Sequence, residues 1–116
     1  MDLIKINNEI EKFVKDRDWD QFHSVKNLSM ALSVESSELL EIFQWMSEAD
    51  SDKSKENPKL KGKLEDELAD IFVYLLRLVN KTEIDLESAV LNKIKKNALK
   101  YPVEKARGNS KKYDEL

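Results

Sequence analysis

Two short acidic motifs, Glu35-x-x-Glu38 and Glu67-x-x-Asp70, lie within strongly apolar segments of the chain. An α-helix turns by about 100° per residue, so side chains three positions apart project from the same face. Each motif therefore presents a pair of carboxylates on one side of a helix. Pairs of this kind on two facing helices form an oxygen-rich site that suits Mg²⁺ or Mn²⁺.

Glu35 is the most informative of these acids, because it falls on the apolar stripe of its own helix. On a helical wheel it lies among Leu28, Leu39, Ile42 and Met46. A carboxylate there loses its hydration, which raises its pKa or disrupts the packing unless a cation compensates. The position of Glu35 favours a divalent metal over the alternative, in which both motifs belong to solvated helix faces.

Apolar residues recur at steps of three and four, which predicts an all-α fold with four helices. The first is expected from Leu3 to about residues 15–17, and the second from a cap at Ser24 or Asn27 to about Met46. Residues between these two helices lose the period and are expected to form a structured connector.

The third helix is predicted to begin at Pro58, where a missing N–H group costs least. The fourth is predicted from a cap at Asp85 to about Lys100. The polar segment 47–57 has no apolar period and is expected to be a mobile loop, and residues 103–116 an extended arm. The length of 116 residues predicts a single domain, 1–116.

Composition excludes several kinds of function. The absence of cysteine excludes thiolate metal sites and thiol nucleophiles, and two isolated glycines exclude a glycine-rich phosphate loop. A net charge of -3 gives no basic excess for binding a nucleic acid polymer. The only histidine, His23, does not stand in a Glu-x-x-His motif, which argues against a ferritin-like di-iron site.

Localisation and assembly follow from the apolar runs. The longest, Ile71 to Leu76, is too short to cross a membrane, and the N-terminus lacks the order of a signal peptide, so a cytoplasmic protein is expected. From Leu68 to Val79 nearly every residue is apolar. A helix that is apolar almost all round needs several neighbours, which predicts a homo-oligomer.

Two further sets of residues suit an anionic, aromatic ligand. Lys93, Asn97 and Tyr101 fall on one face of the fourth helix, where they offer a cation and donors to phosphate oxygens. They are equally compatible with an ordinary polar face. Trp19 and Trp45 offer indole rings for stacking on a base, although each is equally compatible with core or interface packing.

Five motifs follow one another along nearly the whole chain: Arg17-Asp18-Trp19-Asp20-Gln21-Phe22-His23, Lys26-Asn27-Leu28, Phe43-Gln44-Trp45, Glu67-Leu68-Ala69-Asp70-Ile71 and Lys100-Tyr101-Pro102-Val103. In this order they closely resemble the MazG-like all-α nucleoside triphosphate pyrophosphohydrolases, in particular the dCTP pyrophosphatase branch. The resemblance implies a four-helix bundle that assembles as a dimer or tetramer. It also implies Mg²⁺-dependent hydrolysis of a nucleoside triphosphate to the monophosphate and pyrophosphate.

The resemblance assigns roles by position in this chain. The implied metal ligands are Glu35, Glu38, Glu67 and Asp70. The implied substrate contacts are Trp19, His23, Trp45 and Tyr74 at the nucleotide, with Lys93, Asn97 and Tyr101 at phosphate or sugar. Among the acids, Glu38 is our first choice for the catalytic proton acceptor.

Two positions depart from the resemblance. Val25 stands where relatives often have proline, and Ile10 stands where animal dCTP pyrophosphatases carry a histidine that approaches the substrate.

The leading hypothesis is hydrolysis of dCTP or of a modified pyrimidine triphosphate, as nucleotide-pool sanitation. The alternative is a non-catalytic helical oligomer that acts as a regulatory or interaction protein.

Overall fold

All regular structure in the protein is helical. A computed structural model describes residues 1–116 and contains no β-strand, which confirms the predicted all-α fold. The six α-helices are α1 (Leu3–Asp16), α2 (Val25–Phe43), α3 (Glu48–Asp52), α4 (Pro58–Thr82), α5 (Leu86–Lys100) and α6 (Val103–Ala106). None of these helices has the length and apolar character that crossing a membrane requires.

The chain divides into two compact units, Met1–Thr82 and Glu83–Leu116. In the first unit, α2 packs along α4, which brings the two acidic motifs onto neighbouring helices. The helix α1 contributes to the same unit through a small core. That core consists of Ile10, Val14 and Leu76, with Ile6, Phe72 and Val73 packed against it.

The connector between α1 and α2 is ordered by local hydrogen bonds, as predicted. Asp18 adopts a left-handed conformation with φ 52°, which Asp tolerates better than most residues, and a 3₁₀ turn follows at Asp20–Phe22. The hydroxyl of Ser24 then caps α2 by accepting a hydrogen bond from the Asn27 N–H at 3.1 Å. The Asn27 side chain donates back to the Phe22 carbonyl at 3.0 Å, so both candidate cap residues fix this corner.

The predicted loop at residues 47–57 is wrong, because short polar side chains build two helical turns there. Ser47 caps α3 by accepting a hydrogen bond from the Asp50 N–H at 3.1 Å, and a 3₁₀ turn follows at Ser54–Glu56. The same cap explains why α2 ends at Phe43 rather than near Met46. The chain must turn before Ser47, and the Met46 N–H already bonds the Phe43 carbonyl.

The second unit begins as predicted, with Asp85 capping α5 by accepting a hydrogen bond from the Ser88 N–H at 3.0 Å. The extended arm is a wrong prediction for part of residues 103–116, because α6 and a 3₁₀ turn at Tyr113–Glu115 form there. The Tyr113 ring meets the Tyr101 ring edge to face, with centroids 6.3 Å apart. This aromatic contact folds the segment back onto the end of α5.

Candidate metal centre and groove

The acids of the two motifs approach one another where α2 packs along α4. Carboxylate oxygens of Glu35, Glu38 and Glu67 all lie within 4.8 Å of one another. Oxygen ligands of a single Mg²⁺ lie about 2.1 Å from the ion, and therefore at most about 4.2 Å apart. An upper limit of 4.8 Å is close to this value, so the three carboxylates are near enough to share one ion.

Burial leaves two of these carboxylates short of partners. The Oε2 atoms of Glu35 and Glu67 are buried and accept no hydrogen bond. Burial, together with the nearby negative charges of Glu38 and Asp70, raises the pKa of Glu35 to about 7. Burial also raises the pKa of Glu67, with a further contribution from Glu38. Buried oxygens with no partner and a like-charged neighbour are stabilised by a cation, so this donor set fits a hard divalent ion.

The fourth acid, Asp70, stands beside the cluster of three rather than within it. Its negative charge contributes to the raised pKa of Glu35 and of Tyr74, although burial is the larger cause in both cases. Asp70 also lines a groove that opens next to the acids. The acidic cluster and the groove are therefore adjacent, with Asp70 on the groove wall beside the cluster.

The groove has a volume of about 610 Å³, within the range of about 300 to 1,000 Å³ typical of small-molecule sites. Three elements form its walls: α1, the connector and α4. From the connector come Trp19 and His23, and α4 contributes Asp70, Val73, Tyr74 and Arg77. Apolar side chains of α1, including Ile10, complete the inner wall. Such a groove suits a flat ring whose edge carries polar groups.

Trp19 and His23 form the aromatic part of the groove. The Trp19 ring packs edge to face on Phe13, with centroids 5.5 Å apart, and remains 42% exposed. The His23 ring lies 6.4 Å from the Trp19 ring. Burial, and then the positive charge of Arg77, lowers the pKa of His23 and favours the neutral imidazole. A neutral imidazole can both donate and accept a hydrogen bond.

The structure does not bring the two tryptophans together. Trp45 lies in the turn after α2, is 92% exposed, and is absent from the groove that contains Trp19.

In the second unit, Lys93 and Asn97 lie on α5. Tyr101 comes directly after the last turn of α5, and its N–H donates a hydrogen bond to the Asn97 carbonyl at 2.8 Å. Lys93 and Asn97 share one face of α5, as their spacing predicts, but Tyr101 does not continue that face because the helix ends at Lys100 and Tyr101 has a non-helical backbone.

Sequence reasoning missed one residue of the groove wall, Arg77. It interrupts the apolar run of α4, is only 3% exposed, and donates to Glu11 at 2.8 Å and to Asp20 at 2.9 Å. Lys81 makes a further ion pair with Asp20 at 2.7 Å. A single arginine within an apolar helix is the available signal, because a buried guanidinium must find carboxylate partners.

Comparison with known proteins relates this site to characterised relatives. Over 105 residues the chain is 41% identical to dCTP pyrophosphatase 1 of Rattus norvegicus, covering 90% of this chain and 62% of that protein. It is 40% identical to dCTP pyrophosphatase 1 of Homo sapiens, with the same coverage. The chain thus spans about 62% of the length of these relatives.

A solved structure agrees in fold as well as in sequence. It is the crystal structure of a pyrophosphatase from Archaeoglobus fulgidus DSM 4304, 38% identical to this chain, with a TM-score of 0.77. The match covers 86% of this chain and 92% of that one. The MazG-like family itself matches residues 30–116, which include both acidic motifs. The chain therefore belongs to the MazG-like family.

Proposed function

We propose that this protein is a metal-dependent pyrophosphohydrolase that converts a deoxynucleoside triphosphate, dCTP or a modified pyrimidine, into the monophosphate and pyrophosphate. The observation that carries the proposal is the pair of buried, unpartnered carboxylate oxygens on Glu35 and Glu67, next to an aromatic groove. The pyrophosphatase names of the similar proteins support the same reaction.

The proposed metal ligands are Glu35, Glu38, Glu67 and Asp70, and the proposed ion is Mg²⁺ or Mn²⁺. All four donors are carboxylates, and hard oxygen ligands without histidine or cysteine match the preference of these ions. When bound, the ion supplies positive charge against the triphosphate and acidifies water.

The proposed proton acceptor is Glu38. The buried Oε2 atoms of Glu35 and Glu67 lack any other partner and are best satisfied by the cation. Glu38 has no such buried, unpartnered atom, so we propose that its carboxylate takes the proton from the attacking water. Positioning of the water and neutralisation of charge supply most of the rate enhancement in phosphoryl transfer.

The proposed base site is the groove. Trp19 stacks on the pyrimidine ring, and His23 and Tyr74 face its polar edge or the sugar. Trp45 completes the nucleotide contacts, and Lys93 and Asn97 of α5, with Tyr101 just after it, bind phosphate or sugar, as the family motifs imply. Ile10 makes the inner wall apolar at the position where animal members carry a histidine. This difference concerns the edge of the base rather than the triphosphate, so it bears on base preference.

We further propose that the protein is a dimer or tetramer. Large apolar side chains of the first unit remain exposed, among them Leu40 on α2 and Leu68 on α4. A face of this kind is covered in stable proteins by another chain. Sedimentation equilibrium at micromolar concentration should give at least twice the monomer mass of 13.5 kDa. A stable monomer would contradict this assembly.

The decisive experiment measures pyrophosphate and monophosphate release from a panel of deoxynucleoside triphosphates with Mg²⁺, against an EDTA control. We expect the two products in equal amounts from a pyrimidine substrate, and no release in EDTA. Orthophosphate in place of pyrophosphate would identify a different phosphatase reaction. The absence of all release, from a folded protein with Mg²⁺ present, would favour the non-catalytic oligomer.

A further inference from the structure

The guanidinium of Arg77 joins three elements of the first unit. Its Nη1 donates to Glu11 on α1 at 2.8 Å, and its Nη2 donates to Asp20 in the connector at 2.9 Å. The planar fork of arginine fits two separate carboxylates, whereas a lysine ammonium acts as a single point charge. Arg77 thereby ties α4 to both other walls of the groove.

The two carboxylates do not need this arginine for their own solvation. Glu11 and Asp20 are 58% and 66% exposed, while Arg77 is 3% exposed. Replacing a buried ion pair by apolar residues is often neutral for stability, so a buried arginine is poor support for a purely stabilising role. The geometry that it imposes is the more informative property.

That geometry bears directly on the groove. Asp20 immediately follows Trp19, and the 3₁₀ turn that begins at Asp20 ends just before His23. On α4, Asp70, Tyr74 and Arg77 follow the spacing i, i + 4 and i + 7 and therefore share one face. Helix α4 therefore presents Asp70 and Tyr74 to the groove. Through Arg77 it also holds the turn that lies between Trp19 and His23.

We infer that Arg77 is a positioning residue, which sets the distance between the aromatic wall and the acidic side of the groove by holding Asp20. This inference rests on the proposed function, because the groove is taken as the base site. Loss of the Arg77–Asp20 pair should release Trp19 and His23 while the acids on α2 and α4 keep their places. Substrate affinity should then fall, and the chemical step should change little.

The test compares two variants that each remove one carboxylate partner of Arg77. Asp20→Ala removes the partner in the turn, and Glu11→Ala removes the partner on α1. Both side chains are largely exposed, so neither substitution opens a cavity. We expect Asp20→Ala to raise KM about tenfold with kcat within about twofold, and Glu11→Ala to change both by less than about twofold.

Arg77→Lys tests the fork geometry without removing the charge. One ammonium cannot reproduce both hydrogen bonds, so this variant should also raise KM by about five- to tenfold. An unchanged KM in Asp20→Ala would overturn the inference. An equal rise in KM in Glu11→Ala would also overturn it, because the effect would then be general loosening of the unit.

Amide hydrogen exchange separates failure of this inference from failure of the proposed function. Exchange of residues 19–23 should be about tenfold faster in Asp20→Ala than in the wild type, and unchanged in Glu11→Ala. This measurement needs no substrate. An inactive wild type would refute the proposed function, whereas equal exchange in Asp20→Ala and wild type would refute the positioning role whatever the activity.

Discussion

Two clusters of charge lie against α4, and they are balanced in opposite ways. Glu35, Glu38 and Glu67 bring like charges together, and none of them forms a salt bridge with a basic residue. The second cluster pairs two acids with two bases, and consists of Glu11, Asp20, Arg77 and Lys81. In the first cluster the pKa of Glu35 and of Glu67 is raised, whereas in the second Lys81 and Arg77 lower the pKa of Asp20.

The two clusters therefore differ in whether they need a counter-ion from outside the chain. Carboxylates whose pKa is raised by burial and mutual repulsion are costly when ionised, unless a cation joins them. The cluster around Arg77 already contains its own counter-charges, and only the Arg77 Nε is buried there without a hydrogen-bond partner. Substitutions in the acidic cluster should therefore change catalysis and metal binding, and substitutions around Arg77 should change geometry.

The largest effect is expected from breaking the acidic cluster. Glu35→Gln and Asp70→Asn each remove one negative ligand at nearly constant shape, and should reduce Mg²⁺-dependent turnover by about a thousandfold or more. Initial rates of pyrophosphate release measure this loss. Glu65→Gln is the matched control, because Glu65 is an exposed acid on α4, the helix that carries Asp70. This substitution should leave the rate unchanged. Near-normal rates in both site variants would refute the four-acid metal site.

The next effect concerns the aromatic side of the groove. Trp19→Ala and Trp45→Ala should each weaken nucleotide affinity by about 1 to 3 kcal/mol, the usual contribution of a stacked base. Metal binding should persist, because neither ring belongs to the acidic cluster. Michaelis constants and Mg²⁺ titrations measure the two properties separately.

Thermal melts decide whether either ring is structural instead. A tryptophan that packs in a core or interface typically costs about 3 to 5 kcal/mol of stability when truncated to alanine. Trp45 is 92% exposed in this chain, so its removal should leave the melting temperature of the isolated chain unchanged. Unchanged kinetics with a large loss of stability or of the oligomer would assign the rings to packing.

A smaller effect is expected in the pH dependence of stability without metal. Since burial raises the pKa of Glu35 from 4.5 to about 7, the folded state binds a proton that the unfolded chain has released between these values. The contribution of Glu35 to stability should therefore be greatest below about pH 4.5 and should be lost as pH rises to about 7. Glu35→Gln should flatten this decline, as measured by melting temperature in EDTA from pH 5 to pH 8.

Mg²⁺ provides the control for that experiment. It should raise the melting temperature of the wild type most at neutral pH, where the carboxylates are available as ligands. Glu35→Gln should lose most of this rise. A wild-type stability that increases between pH 5 and pH 7 in EDTA would contradict the raised pKa of Glu35.

The smallest effect is expected from the outer ion pair of the balanced cluster. Lys81→Met removes one of the two bases that contact Asp20, yet leaves the Arg77 fork in place. An ion pair with a largely exposed partner contributes little to stability, so the melting temperature should change by only a few degrees. Arg77→Met should affect groove geometry more strongly than Lys81→Met. The reverse order in KM would show that Lys81, rather than Arg77, holds the turn.

The four long helices and the acidic pairs were predictable from the sequence alone. Caps at Ser24 and Asp85 and a start at Pro58 depend on hydrogen bonds and backbone restrictions within a few residues, so the local pattern is sufficient. The same local spacing predicted that Glu35 lies on the apolar core stripe of its helix, and the residue is half-buried in the structure. It failed at residues 47–57, where a Ser47 cap and serine hydroxyl bonds to the backbone accompany short helical turns without any apolar period.

Which side chains meet in the groove could not be predicted from the sequence and is seen only in the tertiary structure. Arg77 contacts Glu11 and Asp20 across 66 and 57 positions of the chain, and no local pattern specifies such pairings. The two tryptophans look equivalent in the sequence, yet Trp19 packs on Phe13 and Trp45 is left in solvent. The physical reason is that helix formation is governed by neighbours three or four residues away, whereas burial depends on how distant helices pack.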